Sequence, residues 1–227
     1  MPDAVRLTRL MTLLVDRYEL GPVGTNGYVV RAAPDSAEAV VVDPGGDAPR
    51  LLASLEAAGA RTAAILVTHC HWDHIGGVAD LAEATGAPVY MAAEEAPVLE
   101  SPDDFFPGAG VRPWTPEVRL SGDERLDLAG IAFETLRVPG HSPAHLAFHA
   151  DGCLFSGDVL FAGAVGRVDI PFGDWDTLIT SIRMLVERFP PETVVFPGHG
   201  PETTVGDELA RNPFLDDLRA AAGQGRA

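Results

Sequence analysis

The segment HCHWDHIGG, residues 69–77, places three histidines and an aspartate within six positions, directly after the apolar run AAILVT. Imidazole nitrogens and carboxylate oxygens are ligands for divalent ions, and leaving them unpaired at the mouth of a buried strand is costly. Three later places repeat the pattern of a β-like run followed at once by a metal-competent side chain beside glycine. They are RVPGHSPAH around His141, LFSGDVLFAG around Asp158 and VVFPGHGP around His199. PGH and SGD are also ordinary turn sequences. Their shared position after a strand favours ligands, because loops leaving the ends of adjacent strands converge.

The donors divide into two sets. His69, His71 and His141 could hold one ion, Asp73, His74 and His199 a second, and Asp158 could bridge them with its two oxygens. His69 and His71 share a parity, so in an extended loop they point to one side. Asp73 and His74 then fall at the start of the next helix, GGVADLAEA. Histidine and carboxylate donors without cysteine suit zinc first, with iron or manganese as alternatives. Two such ions ~3.5–4 Å apart lower the pKa of a bridging water from ~15.7 toward about 7, giving a hydroxide nucleophile at neutral pH. That chemistry is hydrolysis, with Asp73 and Asp158 as the candidate catalytic carboxylates. His145 and His149 lie at period two on a strand-like run and read as structural. Cys70 and Trp72 read as spacers between ligands, Cys70 as a packed thiol pointing away from the cluster.

The elements that must position these groups are short. Strand-like runs are YVVR (28–31), VVVD (40–43), AILVT (64–68), PVYM (88–91), AFETLRV (132–138), HLAFH (145–149), CLFS (153–156) and TVVF (193–196). Helical pieces are expected over 48–59, 76–86 and 176–189. The last has Leu178, Ile182, Leu185, Val186 and Phe189 at helical spacing, with Asp174 or Asp176 as N-cap. Strands in both halves with helices between them predict an α+β protein, a mixed β-sheet structure with helices packed outside. The stretch 94–118 is dense in proline and glycine and reads as a long surface loop, and the tail 220–227 as disordered.

Composition narrows the function. All 16 basic residues are arginine and the net charge is −17, which disfavours nucleic acid and anionic membrane surfaces as partners. Without lysine there is neither Schiff-base chemistry nor a P-loop. Two cysteines make no disulfide framework, and the N-terminal apolar stretch is cut by Arg9, Asp16 and Arg17. A cytoplasmic enzyme of one domain, residues 1–227, is the expectation; nothing in the sequence sets its oligomeric state.

The ordered set His69-x-His71-x-Asp73-His74, His141, Asp158, His199 resembles the metallo-β-lactamase superfamily, and the resemblance runs from VVVDPGGD to PGHGPETTVGDELARNPFL. It implies an αββα sandwich of two mixed sheets flanked by helices, with the metal site at one edge. VDPGGD, PGHSPAH, SGDVLFAGAVGRVDIPFGD and RNPF further resemble the short form of glyoxalase II, a hydroxyacylglutathione hydrolase. That implies two metal ions in the ligand sets above and a small-molecule thioester substrate such as S-lactoylglutathione, cleaved by a metal-bridging hydroxide. Arg167 matches a basic position that contacts the glutathione end of the substrate; otherwise it is a surface arginine or a partner of Asp169. Long forms anchor glutathione with a C-terminal helical domain, whereas 28 residues follow His199 here. The 94–118 segment, with Phe105, Phe106 and Trp114, is expected to line the groove instead.

Two other activities fit the same motif. Persulfide dioxygenases are similar too, sharing the histidine motif and GR-x-D; they would use one iron on His69 or His71 with His141 and Asp158, a set suited to oxygen activation. A lactonase or β-lactamase of the same fold is the other.

Overall fold

The computed structural model describes residues 13–219, so the expected tail 220–227 lies outside the described residues. The chain begins with an antiparallel pair, β1 (Leu14–Leu20) and β2 (Thr25–Arg31), then β3 (Glu38–Val42), α1 (Ala48–Ala58) and β4 (Arg61–Leu66). A single-turn helix α2 (Trp72–Ile75) precedes α3 (Val78–Thr85), β5 (Val89–Ala92), α4 (Ala96–Glu100), α5 (Pro102–Phe105) and β6 (Val118–Leu120). The second half holds β7 (Arg125–Leu128), β8 (Ile131–Arg137), β9 (Leu146–Ala150), β10 (Cys153–Gly157) and a small ribbon of β11 (Leu160–Phe161) and β12 (Ala164–Val165). It closes with α6 (Trp175–Arg188), β13 (Val194–Pro197), β14 (Thr203–Thr204), α7 (Val205–Arg211) and a 3-10 turn over Pro213–Leu215.

Two six-stranded sheets result, in the orders β1-β2-β3-β4-β5-β6 and β14-β13-β10-β9-β8-β7. Both are mixed: β3 to β6 pair in parallel in the first, and β10 with β13 in the second. Alternate residues of the central strands serve different cores. Val40, Val42, Ala64 and Leu66 meet Phe133, Phe148 and Phe155 between the sheets. Ala39, Val41, Ile65 and Val67 face outward onto Leu51 and Leu55 of α1 and Leu81 of α3. On the far side, Ala147, Leu154 and Val195 pack against Leu178, Ile182 and Leu185 of α6. Strands covered on both faces read as unbroken apolar runs, which is why these were visible in the sequence. The layers are helix, sheet, sheet, helix, and the α+β expectation holds.

Three expectations are corrected in detail. The helix foreseen over 76–86 starts at Val78, and Asp73 and His74 sit on the separate turn α2. Gly76 and Gly77 break the run because the chain there passes the Pro44–Gly45 turn: a Cβ on Gly77 would lie 2.7 Å from the Gly45 carbonyl. The stretch 94–118 is not a loop throughout, since Pro97 and Pro102 each sit in the first turn of a short helix, where a missing N–H costs nothing. Trp114 does not line the groove. Its backbone N–H is bound to the Leu99 carbonyl (3.0 Å), and it borders a separate surface hollow with Glu100 and Glu117. Of the two foreseen caps for α6, Asp174 performs the task, accepting from the Thr177 N–H at 2.8 Å.

Candidate metal centre

All seven foreseen ligands lie just past strand ends at one edge of the two sheets, five on loops and Asp73 and His74 on α2, and the structure brings all seven together. His69, His71, Asp73 and His74 follow β4, His141 follows β8, Asp158 follows β10 and His199 follows β13. Within the first set, Nε2 of His69 and Nε2 of His141 each stand 2.9 Å from Nδ1 of His71. In the second, His199 Nε2 is 3.3 Å and His74 Nε2 3.6 Å from Asp73 Oδ2. Asp158 stands between the sets. Its Oδ1 is 3.3 Å from His74 Nε2, and its Oδ2 is 3.5 Å from both His141 Nε2 and His199 Nε2.

The far side of each imidazole decides what its near side offers. His74 Nδ1 donates to Asp43 Oδ2 (2.8 Å) and His141 Nδ1 to the Arg167 carbonyl (2.8 Å). Thr68 Oγ1 gives its proton to Asp43 Oδ2 (2.7 Å) and so receives one from His69 Nδ1 (3.0 Å). Lone pairs on Nε2 of His69 and His141 are therefore turned inward, and His74 Nε2 faces Asp158; against burial, the Asp158 and Asp43 carboxylates hold the His74 pKa well above the usual histidine range. Burial keeps His69 and His141 neutral by pushing their pKa down, and takes His71 down to about 4. For Asp158, burial opposes ionisation, but the His74, His141 and His199 imidazoles outweigh it and hold the carboxyl below the usual range. Asp73 is held at about 2 against the same burial by His199, His74 and Thr25.

A cation fits this arrangement. His74 Nε2 and Asp158 Oδ1, 3.3 Å apart, are buried without a well-formed hydrogen bond in the protein, an expensive state for two polar atoms. Converging imidazole lone pairs and carboxylates with outer partners already fixed are the chemistry of a metal site. Glycine makes the approach possible: a Cβ on Gly198 would lie 2.0 Å from Asp158 Oδ1, and one on Gly140 2.4 Å from the backbone of Leu178.

Several positioning residues lie outside the candidate ligand set. Asp43 binds the Thr68 N–H (2.8 Å), the Thr68 hydroxyl and His74 at once, from a left-handed backbone (φ 48°) that aspartate and asparagine tolerate best. Its signal was present, a carboxylate closing a buried strand in VVVDPGG. His145, read as structural, accepts the Asp158 N–H at 3.1 Å and stacks on His69 at 4.6 Å. Thr25 donates to Asp73 at 2.6 Å, and Asn26 and Tyr28 bind the Pro197 carbonyl at the root of the His199 loop. Glu95 is 2% exposed and joins two ligand loops, accepting from the Cys70 N–H (2.7 Å), the Ser142 hydroxyl (2.6 Å) and the Ala144 N–H (2.9 Å). Nothing in its spacing marked it.

Two outcomes follow directly. Asp43→Asn retains the left-handed turn but offers an NH2 group to one of its donors, so metal affinity should fall ~10–100-fold, read by competition with a chromophoric chelator. An unchanged affinity would remove Asp43 from the site. Both cysteines are buried, Cys70 in the outer core and Cys153 between the sheets. Burial, with Glu95 beside Cys70, raises the Cys70 thiol, and burial raises Cys153 to about 12. Neither should react with iodoacetamide at pH 8 in the folded protein, as intact-mass measurement would show; rapid single labelling would contradict the packed-thiol reading.

Arg167 lies on the rim of the cleft that contains His71, Asp73, His141, Asp158 and His199. Its guanidinium is exposed and paired with Asp169 (2.8 and 2.9 Å). Residues 20–199 match the family model of the metallo-beta-lactamase superfamily. The chain belongs to that superfamily. Its relatives include hydroxyacylglutathione hydrolase GloC of Haemophilus influenzae, 37% identical over 80% of this chain and 89% of that protein. Among solved structures, the BLEG-1 B3 metallo-beta-lactamase superposes with a TM-score of 0.84 at 37% identity, covering 89% of this chain and 100% of that one. TTHA1623 in a di-iron-bound form superposes at 0.76 with 41% identity, covering 88% and 100%. As a member of this metallo-hydrolase superfamily, the chain has its His/Asp cluster where metal ions belong. No helix among the described residues is long and apolar enough to cross a membrane.

Proposed function

We propose that the protein is a dinuclear metallohydrolase that cleaves a thioester. The observation carrying this reading is the second donor set: Asp73, His74 and His199 converge beside His69, His71 and His141, with Asp158 facing both. Three further donors beside the first set are enough to hold a second ion. His69, His71 and His141 would hold one ion, Asp73, His74 and His199 the other, and Asp158 would touch both. Bound there, two divalent ions supply a hydroxide at neutral pH and a Lewis acid for the carbonyl. Zinc suits the donors, and the di-iron relative supports iron as an alternative.

The chain's own groups do the positioning. Asp43 and the Arg167 carbonyl keep His74 and His141 in the tautomer whose Nε2 faces the cleft. Thr25 donates to Asp73 Oδ2, the oxygen that faces His74 and His199, and so holds the carboxylate toward the second donor set. Arg167 would exchange Asp169 for a carboxylate on the thiol arm of the substrate, which its planar fork matches. A thioester is the preferred bond because the relative from Haemophilus influenzae is named for hydrolysing one.

The test is elemental analysis and thioester hydrolysis on the same metal-replete sample. Two ions per chain with turnover is the expected result. Metal-loaded protein that hydrolyses no thioester, or one iron per chain with oxygen uptake on glutathione persulfide, would overturn it.

A further inference from the structure

Beside His71 opens a second cavity of about 290 Å³, next to the metal cleft and sharing His71, Phe106 and Pro171 with it. Pro97, Val98, Phe105, Phe106, Pro143 and Phe172 form its walls. No arginine lines it, and its two carboxylates are already engaged. Glu94 is paired with Arg137 (2.5 and 3.0 Å), and Glu95 is bound by the two ligand loops. A charged or strongly hydrated group would enter against this lining without a partner.

The surface around it points the same way. Five large hydrophobic residues are exposed among those described, and three of them border the site: Phe105 and Phe172 at this cavity, Val23 at the metal cleft. The other two, Trp175 and Phe214, pack on each other. Phe172 is 77% exposed and holds a left-handed backbone (φ 68°), a conformation costly for a bulky side chain. Strain and an exposed aromatic ring at the lip of an apolar cavity together indicate a ligand that covers them.

Resting on the thioester reading above, we infer that this cavity is the acyl pocket and that the acyl group is apolar, not a short polar hydroxyacyl. Arg167, on the cleft rim, serves the carboxylate of the thiol arm, and the acyl chain turns past His71 and Phe106 into the cavity. Selectivity then comes from apolar area, each methylene buried strengthening binding about fourfold, the equivalent of ~0.8 kcal/mol.

The experiment is calorimetric binding to the metal-loaded protein of non-hydrolysable thioether ketones, S-(2-oxoalkyl)-N-acetylcysteines, with the alkyl group lengthened from methyl to pentyl. Kd should fall about fourfold per methylene over the first steps and level off when the cavity fills. The exposed substitutions Phe105→Ser and Phe172→Ser, made together, should flatten that rise. Affinity that is flat or undetectable across the series, or selectivity untouched by the double variant, overturns the proposal. Turnover of the matching thioesters is read separately. Chain-length-dependent binding without hydrolysis would leave the pocket standing and sink the hydrolase reading. Hydrolysis with flat binding would do the reverse.

Discussion

Asp158→Asn should leave the fold intact and cost the protein at least one of the two ions proposed above. The carboxylate has one oxygen 3.3 Å from His74 and the other 3.5 Å from both His141 and His199. Asparagine keeps the shape, but replaces one oxygen with an NH2 group that cannot serve a cation and removes the charge that offsets two divalent ions. The loss in turnover should exceed the ~10–100-fold typical of residues that only orient ligands. Metal content after dialysis, thioester turnover and far-ultraviolet circular dichroism check it together. Two retained ions with full activity would show that Asp158 does not join the two sets.

Glu95→Ala should be strongly destabilising. It strips the Cys70 N–H, the Ala144 N–H and the Ser142 hydroxyl of their acceptor in a buried site. At ~1–3 kcal/mol for each donor left unsatisfied, with some relaxation, the loss is roughly 3–6 kcal/mol. That is a large part of the ~5–15 kcal/mol that holds a typical domain together. A chain of this size loses ~2–4 °C of melting temperature per kcal/mol, so a fall of roughly 10–20 °C is expected. Glu95→Gln retains an acceptor oxygen and should lose far less. If both variants melted like the parent, Glu95 would not be the tie between the His69–His74 and His141–His145 loops.

Much of the fold was legible because its strands are covered on both faces. VVVD, AILVT and CLFS are near-continuous apolar runs, and the helix from Trp175 carries its apolar stripe and its Asp174 cap in plain view. The strand β1 is hard to see because LVDRYEL is half-buried nearly throughout and broken by Asp16, Arg17 and Glu19. The two short helices after Glu95 were missed because one turn leaves no period to detect. The candidate ligands were legible for another reason. Histidine and aspartate directly after a buried strand conflict with their surroundings unless something binds them, and that conflict can be seen in one dimension.

By itself the sequence determined the donor types, their order along the chain and the loops that carry them, because side-chain chemistry and strand ends are local properties. Only the tertiary structure decided which nitrogen of His69, His74 and His141 faces inward, since that depends on Asp43 meeting Thr68 and His74, and on the Arg167 carbonyl meeting His141, across distant loops. It also decided that Glu95 binds inward while its neighbour Glu94 faces Arg137, and that Phe105, Phe106 and Phe172 gather around one cavity while Trp114 turns away. These are long-range contacts, fixed by how two sheets and their loops pack, and no spacing of residues along the chain encodes them.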